Sequence, residues 1–232
     1  MNKILIAFLV FANCVFGQEI VDSNGHSNEH IISYHSDIFV QKDCNVKIIE
    51  TIEVLVRNQY IEHGIYRDLP LSYRYRGGNV NVAFKLKSLK CDGKIEEYHT
   101  ENLSNGIRIY AGSASRYVPA GVHVYEIEYE VDHVLGLYDE FDEISWNVNG
   151  NGWIFSIDSV SANVYLPKGA KIKQFYAYTG GYGSTQQNYS TTEIPGGVQF
   201  VSTASFNAAE NMTVAVGWEK GVMIYPTAWD EF

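Results

Sequence analysis

Two short segments concentrate the side chains that do chemistry. The first is His63-Gly64-Ile65-Tyr66-Arg67-Asp68-Leu69-Pro70. Arg67 offers a planar fork that matches a carboxylate or a phosphate, and Asp68 is placed to orient it. The competing reading is a structural loop between two strand-like stretches, with Arg67 bonded to backbone and Pro70 restarting a strand. That reading is preferred, because compact loops commonly use charged residues to hold their own shape.

The second segment runs from Tyr138 to Trp153. Asp139, Glu140, Asp142 and Glu143 lead into Trp146-Asn147-Val148-Asn149-Gly150-Asn151-Gly152-Trp153. Carboxylates with side-chain amides are hard oxygen donors suited to calcium. Carboxylates beside aromatic faces also suit sugar binding or sugar cleavage. The spacing is not that of an EF-hand loop, and no acid/base pair stands out. The plainer alternative is an acidic, solvated approach to a Trp-anchored turn, in which Asn and Gly supply left-handed backbone.

Glu50 lies on the apolar parity of its strand, between Ile48 and Ile52. A carboxyl there needs a partner, and Arg67 or His63 is expected to reach it. A local bulge that turns Glu50 outward is the alternative. Beyond these segments the His residues are scattered and there is no Cys-x-x-Cys pair, so no metal site is indicated. No Gly-x-Ser-x-Gly elbow and no phosphate-binding loop occurs. No catalytic residue is assigned, and calcium is the one cofactor that the pattern admits.

The elements that must carry these residues are strands. Ile32, Tyr34, Ile38 and Val40 share a parity; Val46, Ile48, Ile52, Val54 and Val56 alternate after an Asp43-Cys44-Asn45 turn. Similar alternation covers Val80 to Leu86, Tyr125 to Val131, Val160 to Leu166, Ile172 with Tyr176 and Tyr178, and Met212 to Trp218. Gly and Pro fall between the runs, and Tyr178 to Tyr182 reads as a tight aromatic hairpin. No ten-residue stretch has a 3.6-residue period. The expectation is an all-β fold, a mostly antiparallel β-sandwich, immunoglobulin-like or related. One sandwich over residues 30–224 is preferred to a boundary near Pro167.

Composition agrees with a packed exported domain. Of the 232 residues 46% are hydrophobic and 19% charged, and 17 are Tyr. The formal charge of −10 disfavours nucleic acid and anionic lipid as partners. Lys3 followed by the apolar run Ile4 to Phe16 has the pattern of a secretory signal peptide over residues 1–17, cut before Gln18. The run falls short of the roughly 20 apolar residues of a membrane span, and Asn13 fits a lipoprotein anchor on Cys14 poorly. A flexible leader over 18–29 and a tail over 225–232 flank the domain. No later stretch suits a transmembrane segment, so the mature chain is expected to be extracytoplasmic. Cys44 and Cys91 then remain. In an oxidising compartment such a pair invites a disulfide, and two separate thiols is the equal alternative.

The two long motifs carry a resemblance. His63 to Pro70 and Asp142 to Trp153, with Glu50-Thr51-Ile52, Tyr125-Glu126-Ile127, Val160-Ser161-Ala162 and Ala177-Tyr178-Thr179-Gly180, resemble the bacterial domain of unknown function 2207. The likeness spans roughly Ile31 to Val222. It implies a β-rich extracytoplasmic domain, usually displayed ahead of transmembrane helices, and it brings no catalytic residues. This chain ends soon after Trp218-Glu219-Lys220-Gly221, as a free-standing version or a truncated gene would. Cys44 stands where an ordinary turn residue is expected.

The functional expectation is a non-catalytic interaction module of the periplasm or cell surface, meeting a membrane protein or envelope component through loops at one end of the sandwich. Its candidate contact residues are His63, Arg67, Asp68, Asp142, Glu143, Trp146, Asn147, Asn149 and Trp153. The alternative is a carbohydrate- or calcium-binding domain built on Asp142, Glu143, Trp146 and Asn149. An envelope hydrolase ranks last.

Overall fold

In a computed structural model the chain is described over residues 29–75 and 78–225. The segments expected as a signal peptide at 1–17 and as a tail beyond Tyr225, with nearly all of the leader expected at 18–29, lie outside the described residues. Seventeen strands run in order: β1 (His30–Val40), β2 (Val46–Val56), β3 (Gly64–Pro70), β4 (Ser72–Tyr75), β5 (Gly78–Asn81), β6 (Phe84–Cys91), β7 (Lys94–Ile95), β8 (Tyr98–Leu103), β9 (Gly106–Gly112), β10 (Gly121–Val131), β11 (Leu135–Leu137), β12 (Phe141–Asn147), β13 (Ile157–Tyr165), β14 (Ile172–Gly180), β15 (Tyr189–Ile194), β16 (Gly197–Ser202) and β17 (Asn211–Glu219). Among the described residues no helix is long and apolar enough to cross a membrane.

The strands form an eight-stranded sheet in the order β15-β16-β13-β1-β2-β10-β6-β7, a four-stranded sheet β11-β12-β17-β14, a three-stranded sheet β3-β9-β8 and the hairpin β4-β5. The β1–β13 pair is parallel and the other ladders are antiparallel. The chain is therefore the all-β, mostly antiparallel sandwich that alternation implies. One layer is the large sheet. The other is the four- and three-stranded sheets, whose inward residues join one apolar cluster with it.

Strand register shows why the alternation is so regular at the centre. Tyr34, Ile52 and Tyr125 line up across β1, β2 and β10, as do Ile38, Ile48 and Tyr129, and all six are buried. The opposite face of the same sheet is polar. Lys47–Glu128, Lys87–Glu130 and Lys90–Glu126 pair there at 2.6–2.7 Å. A period of two with one dry and one wet face is what fixes this register.

Three details depart from the sequence reading. A bulge between Ile31 and Ser33 puts Ile31, not Ile32, in the core. A second irregularity between Ile172 and Gln174 reverses the parity of β14. Ala177 and Thr179 face inward while Tyr178 is exposed. The segment His63 to Pro70, expected as a loop, is largely strand β3, paired along its length with β9.

No disulfide joins Cys44 and Cys91, and both thiols are free. Cys44 occupies the β1–β2 turn with φ 68°, next to the Val46 end of β2. Cys91 pairs with Tyr125, which faces Ile52. About six residues of β2, roughly 20 Å of strand, separate the two levels, and a disulfide needs Cα atoms within about 7 Å.

Candidate functional site

The buried anchor of the site is Glu50. Its strand turns it into the core between Ser36 of β1 and Ile127 of β10, with no exposed surface. Arg67, pointing down from β3 and 2% exposed, meets it side-on. Nε lies 3.2 Å from Oε1 and 3.0 Å from Oε2, and Nη2 lies 2.8 Å from Oε1. Tyr129 donates its hydroxyl to Oε1 at 2.7 Å. Burial by itself would favour a neutral Arg67, but the adjoining Glu50 outweighs it and holds the guanidinium pKa well above the ordinary value. Burial, reinforced by Glu50, keeps the Tyr129 phenol far from ionising. The remaining edge of Arg67 is used as well: Nη1 donates to the Asp68 carbonyl oxygen at 2.7 Å. Each of the three guanidinium nitrogens thus donates to an internal partner. His63 takes no part in this cluster. Its ring packs at a tilt against Tyr117 and contacts the Arg116 carbonyl oxygen at 3.0 Å.

Asp68, next on β3, points the other way. The β3–β9 register sets it opposite Arg108, whose Nε and Nη2 donate to its two carboxylate oxygens at 2.6 and 2.7 Å. Arg108 also lies over the Tyr66 ring, 4.2 Å from its centroid. The hydrogen bonds from Arg108 to Asp68 and Tyr110 raise its pKa far beyond the ordinary range. Nothing in the sequence marked Arg108, because a cross-strand pair becomes visible only once the register is known.

The second motif closes onto the first. After β12 the chain turns through Asn147 to Trp153. Asn147 accepts the Gly150 N–H at 2.9 Å and donates to Asn151 at 2.8 Å. Asn149 is fully buried; it accepts the Met212 N–H at 2.9 Å and donates to the Glu210 carbonyl at 3.0 Å. Trp153 packs edge-on against Tyr34 and donates its indole N–H to the Asn149 carbonyl at 2.7 Å. Asn149 and Trp153 are thus framework residues. The loop they fix brings Gly150 against the Arg67 guanidinium so closely that an added Cβ would sit 2.2 Å from Nη1. Gly152 lies less tightly against Asp68, where a Cβ would lie 3.3 Å from the side chain. Gly150 also has φ +76°, a left-handed conformation that glycine adopts without strain.

This contact forms a seam between the three-stranded and four-stranded sheets, and a cleft of about 260 Å³ opens along it. Asp68 and Pro70 form one wall, Leu103 to Asn105 of the β8–β9 turn form another, and Trp146, Asn147 and Asn151 form the third. The indole N–H of Trp146 is buried and has no hydrogen-bond partner among the described residues. A larger hollow of about 470 Å³ lies between β14 and the β15–β16 turn; neither sequence motif reaches it.

Asp142 and Glu143 stand apart from the cleft, and the solvated acidic approach expected for them is not found. Asp142 is 0% and Glu143 6% exposed. As neighbours on β12 they point to opposite faces of its sheet. Asp142 accepts from Lys220 Nζ and the Tyr225 hydroxyl, each at 2.6 Å. Glu143 accepts from Gln174 at 2.9 Å and lies 3.4 Å from the Tyr176 hydroxyl. Four strand residues, about 13 Å, part Asp142 from the Trp146 end of β12. The proposed quartet of Asp142, Glu143, Trp146 and Asn149 therefore cannot converge on one calcium ion or one sugar ring.

Comparison with known proteins places this architecture. The family model described as "Predicted membrane protein (DUF2207) N-terminal domain" matches residues 30–218. The uncharacterized protein YciQ of Escherichia coli K12 is 29% identical over 163 residues, which is 69% of this chain and 26% of that protein. The chain thus spans about a quarter of the length of that relative. Among solved structures, leukotriene A4 hydrolase from yeast in complex with bestatin aligns over 80% of this chain and 28% of its own, with a TM-score of 0.49 and 8% identity. An M1 zinc metallopeptidase from Deinococcus radiodurans aligns over 82% of this chain and 42% of its own, with a TM-score of 0.46 and 11% identity. No peptidase chemistry is carried over from likenesses of that size. The match over residues 30–218 covers both motifs and the seam that they build, and the chain belongs to the family of predicted membrane proteins defined by the DUF2207 N-terminal domain.

Proposed function

We propose that the domain is an exported, non-catalytic binding module of the bacterial cell envelope, and that it engages a membrane protein or envelope component at the seam cleft. The observation that carries this reading is the convergence of the two motifs on one recess. The charged groups there, Arg67 and Asp68, are consumed by internal partners. The rest of the lining is amide and proline, with the nearly buried Trp146 beside them, which suits recognition by hydrogen bonds and shape. The apolar run Ile4 to Phe16 behind Lys3 supports export.

The test uses Asn105→Trp, which fills the cleft from an exposed turn. Immobilised wild-type chain is expected to retain a component of detergent-solubilised envelopes that the variant loses, with both melting at the same temperature. Equal retention by both would remove the cleft from the account. A second reading, a sugar ligand, is favoured by Trp146 beside Asn147 and Asn151. Cell-wall sugars that raise the melting temperature of wild type but not of Asn105→Trp would select it.

A further inference from the structure

Away from the seam, one end of the large sheet gathers three different ligand types. Cys91 closes β6, Asp92 begins the turn to β7, and His123 lies near the start of β10. One donor atom from each falls within 4.8 Å of the other two. The register explains it. Cys91 pairs with Tyr125, so His123, two residues earlier on the same face of β10, overhangs the turn that follows Cys91. Asp92 and Gly93 take φ 51° and 74°, which folds the Asp92 carboxylate back over β10. There the Val124 N–H donates to Oδ1 at 3.0 Å, while the Asp92 N–H donates to the Val124 carbonyl at 2.8 Å.

The His123 ring is held for a purpose that these contacts leave open. Nε2 lies 2.8 Å from the Pro119 carbonyl oxygen, which can only accept, so Nε2 carries the proton. Nδ1 then faces Asp92 Oδ2 at 2.8 Å. In the neutral ring that contact sets a lone pair against a carboxylate, and it becomes favourable only when a cation, a second proton or a metal, lies between them. A histidine whose far nitrogen donates to a backbone carbonyl while the near one points at oxygen and sulfur donors is the arrangement that metal-bound histidines use.

We propose that Cys91, Asp92 and His123 form a site for one divalent cation of the zinc class, with a fourth coordination position open to water. Thiolate, imidazole and carboxylate together suit a borderline-soft ion with tetrahedral preference. Bond lengths of about 2.0–2.3 Å place tetrahedral ligands roughly 3.3–3.8 Å apart, so binding requires His123 Nδ1 and Asp92 Oδ2, 2.8 Å apart, to open by roughly half an ångström and the Cys91 sulfur, within 4.8 Å of them, to close in by up to about 1 Å. Half of the Asp92 side chain is exposed, which leaves an entry path. Burial, with Asp92 beside it, pushes the Cys91 thiol up to about 11. The ion therefore displaces a proton from sulfur as the metal–sulfur bond forms, and a proton from Nδ1 where the ring carries one. Glu96 and its ion-pair partner Arg116 border the site. No short spacing announces it, because Asp92 and His123 stand 31 residues apart.

Cobalt(II) titrated into the full chain is the test. Wild type is expected to bind one ion with a sulfur-to-cobalt charge-transfer band and tetrahedral visible bands, both bleached by zinc. Cys91→Ser should abolish the charge-transfer band, His123→Ala should weaken binding at least tenfold, and Cys44→Ser should change neither. Absence of the band in wild type, or its survival in Cys91→Ser, would overturn the site. A variant-free measurement guards against misfolding: zinc should slow alkylation of Cys91 more than tenfold and leave Cys44 unchanged, as followed by site-resolved mass spectrometry. Unprotected Cys91 would overturn the proposal on its own.

Discussion

Arg67 of the three-stranded sheet and Glu50 of the eight-stranded sheet meet side-on in the interior, at 2.8–3.2 Å and almost wholly out of solvent. The pair ties the two layers together directly below the seam. Its net worth is set by two opposing quantities, the desolvation of both charges and their attraction in a poorly polarisable surround. Tyr129 and the Asp68 carbonyl add hydrogen bonds to the pair, and such added partners help make a buried pair tolerable.

Removing one partner strands the other. Glu50→Gln and Arg67→Met are each expected to lower unfolding stability by about 3–5 kcal/mol. The double variant Glu50→Leu/Arg67→Met should be more stable than either single one, because no uncompensated charge remains. Urea unfolding of the four proteins measures this, and additive losses would contradict it.

Gly150→Ala tests the seam itself. The new Cβ collides with Arg67 Nη1, and the left-handed backbone adds strain. A cost of about 1–3 kcal/mol is expected from the conformation alone, with more from the collision. In the Arg67→Met background the added cost should shrink, since the colliding nitrogen is gone. Equal costs in both backgrounds would mean that the loop does not rest on Arg67.

Glu29 predicts part of the acid sensitivity. Burial raises its pKa, but the backbone N–H groups of Arg57, Ile61, Tyr60 and Gln59 outweigh burial and bring it below the usual 4.5. A depressed carboxyl contributes stability that is present in full above its unfolded value and is lost as pH falls through its folded one. Wild type should therefore lose more stability than Glu29→Gln between pH 7 and pH 3. Parallel losses in chemical denaturation would show that Glu29 is not the group responsible.

The two core-domain thiols should both be alkylated in the unfolded, unreduced protein. Burial, with Asp142 and Asp43 nearby, pushes Cys44 up to about 11, and Cys91 is raised similarly, so both should react slowly at neutral pH in the folded state. A mass two units lower with neither site labelled would reveal a disulfide.

The central strands were legible because β2 and β10 each bury a continuous alternating stripe, while β17 reads as an apolar run because it is buried on both faces. Glu50 was legible for the same reason: it broke an apolar stripe, and Arg67 was a partner within chain reach. Where a bulge reverses parity, as at Ile31 and in β14, alternation misleads by one residue. The hairpin of β8 and β9 left little trace, since β8 is exposed on both faces over most of its length. Asp142 and Glu143 looked like one acidic patch because adjacency in sequence hides the fact that strand neighbours face opposite ways. Arg108, Tyr129 and the β8–β9 turn entered the site through pairing that only register specifies.

The most direct test of the seam as a binding surface is amide hydrogen exchange on the domain with and without the envelope component captured in solution. Binding at the cleft predicts slowed exchange across residues 67–70, 103–105 and 146–152, and no such slowing in Asn105→Trp. Protection confined to another surface, such as the β15 edge or the hollow beside β14, would contradict the account.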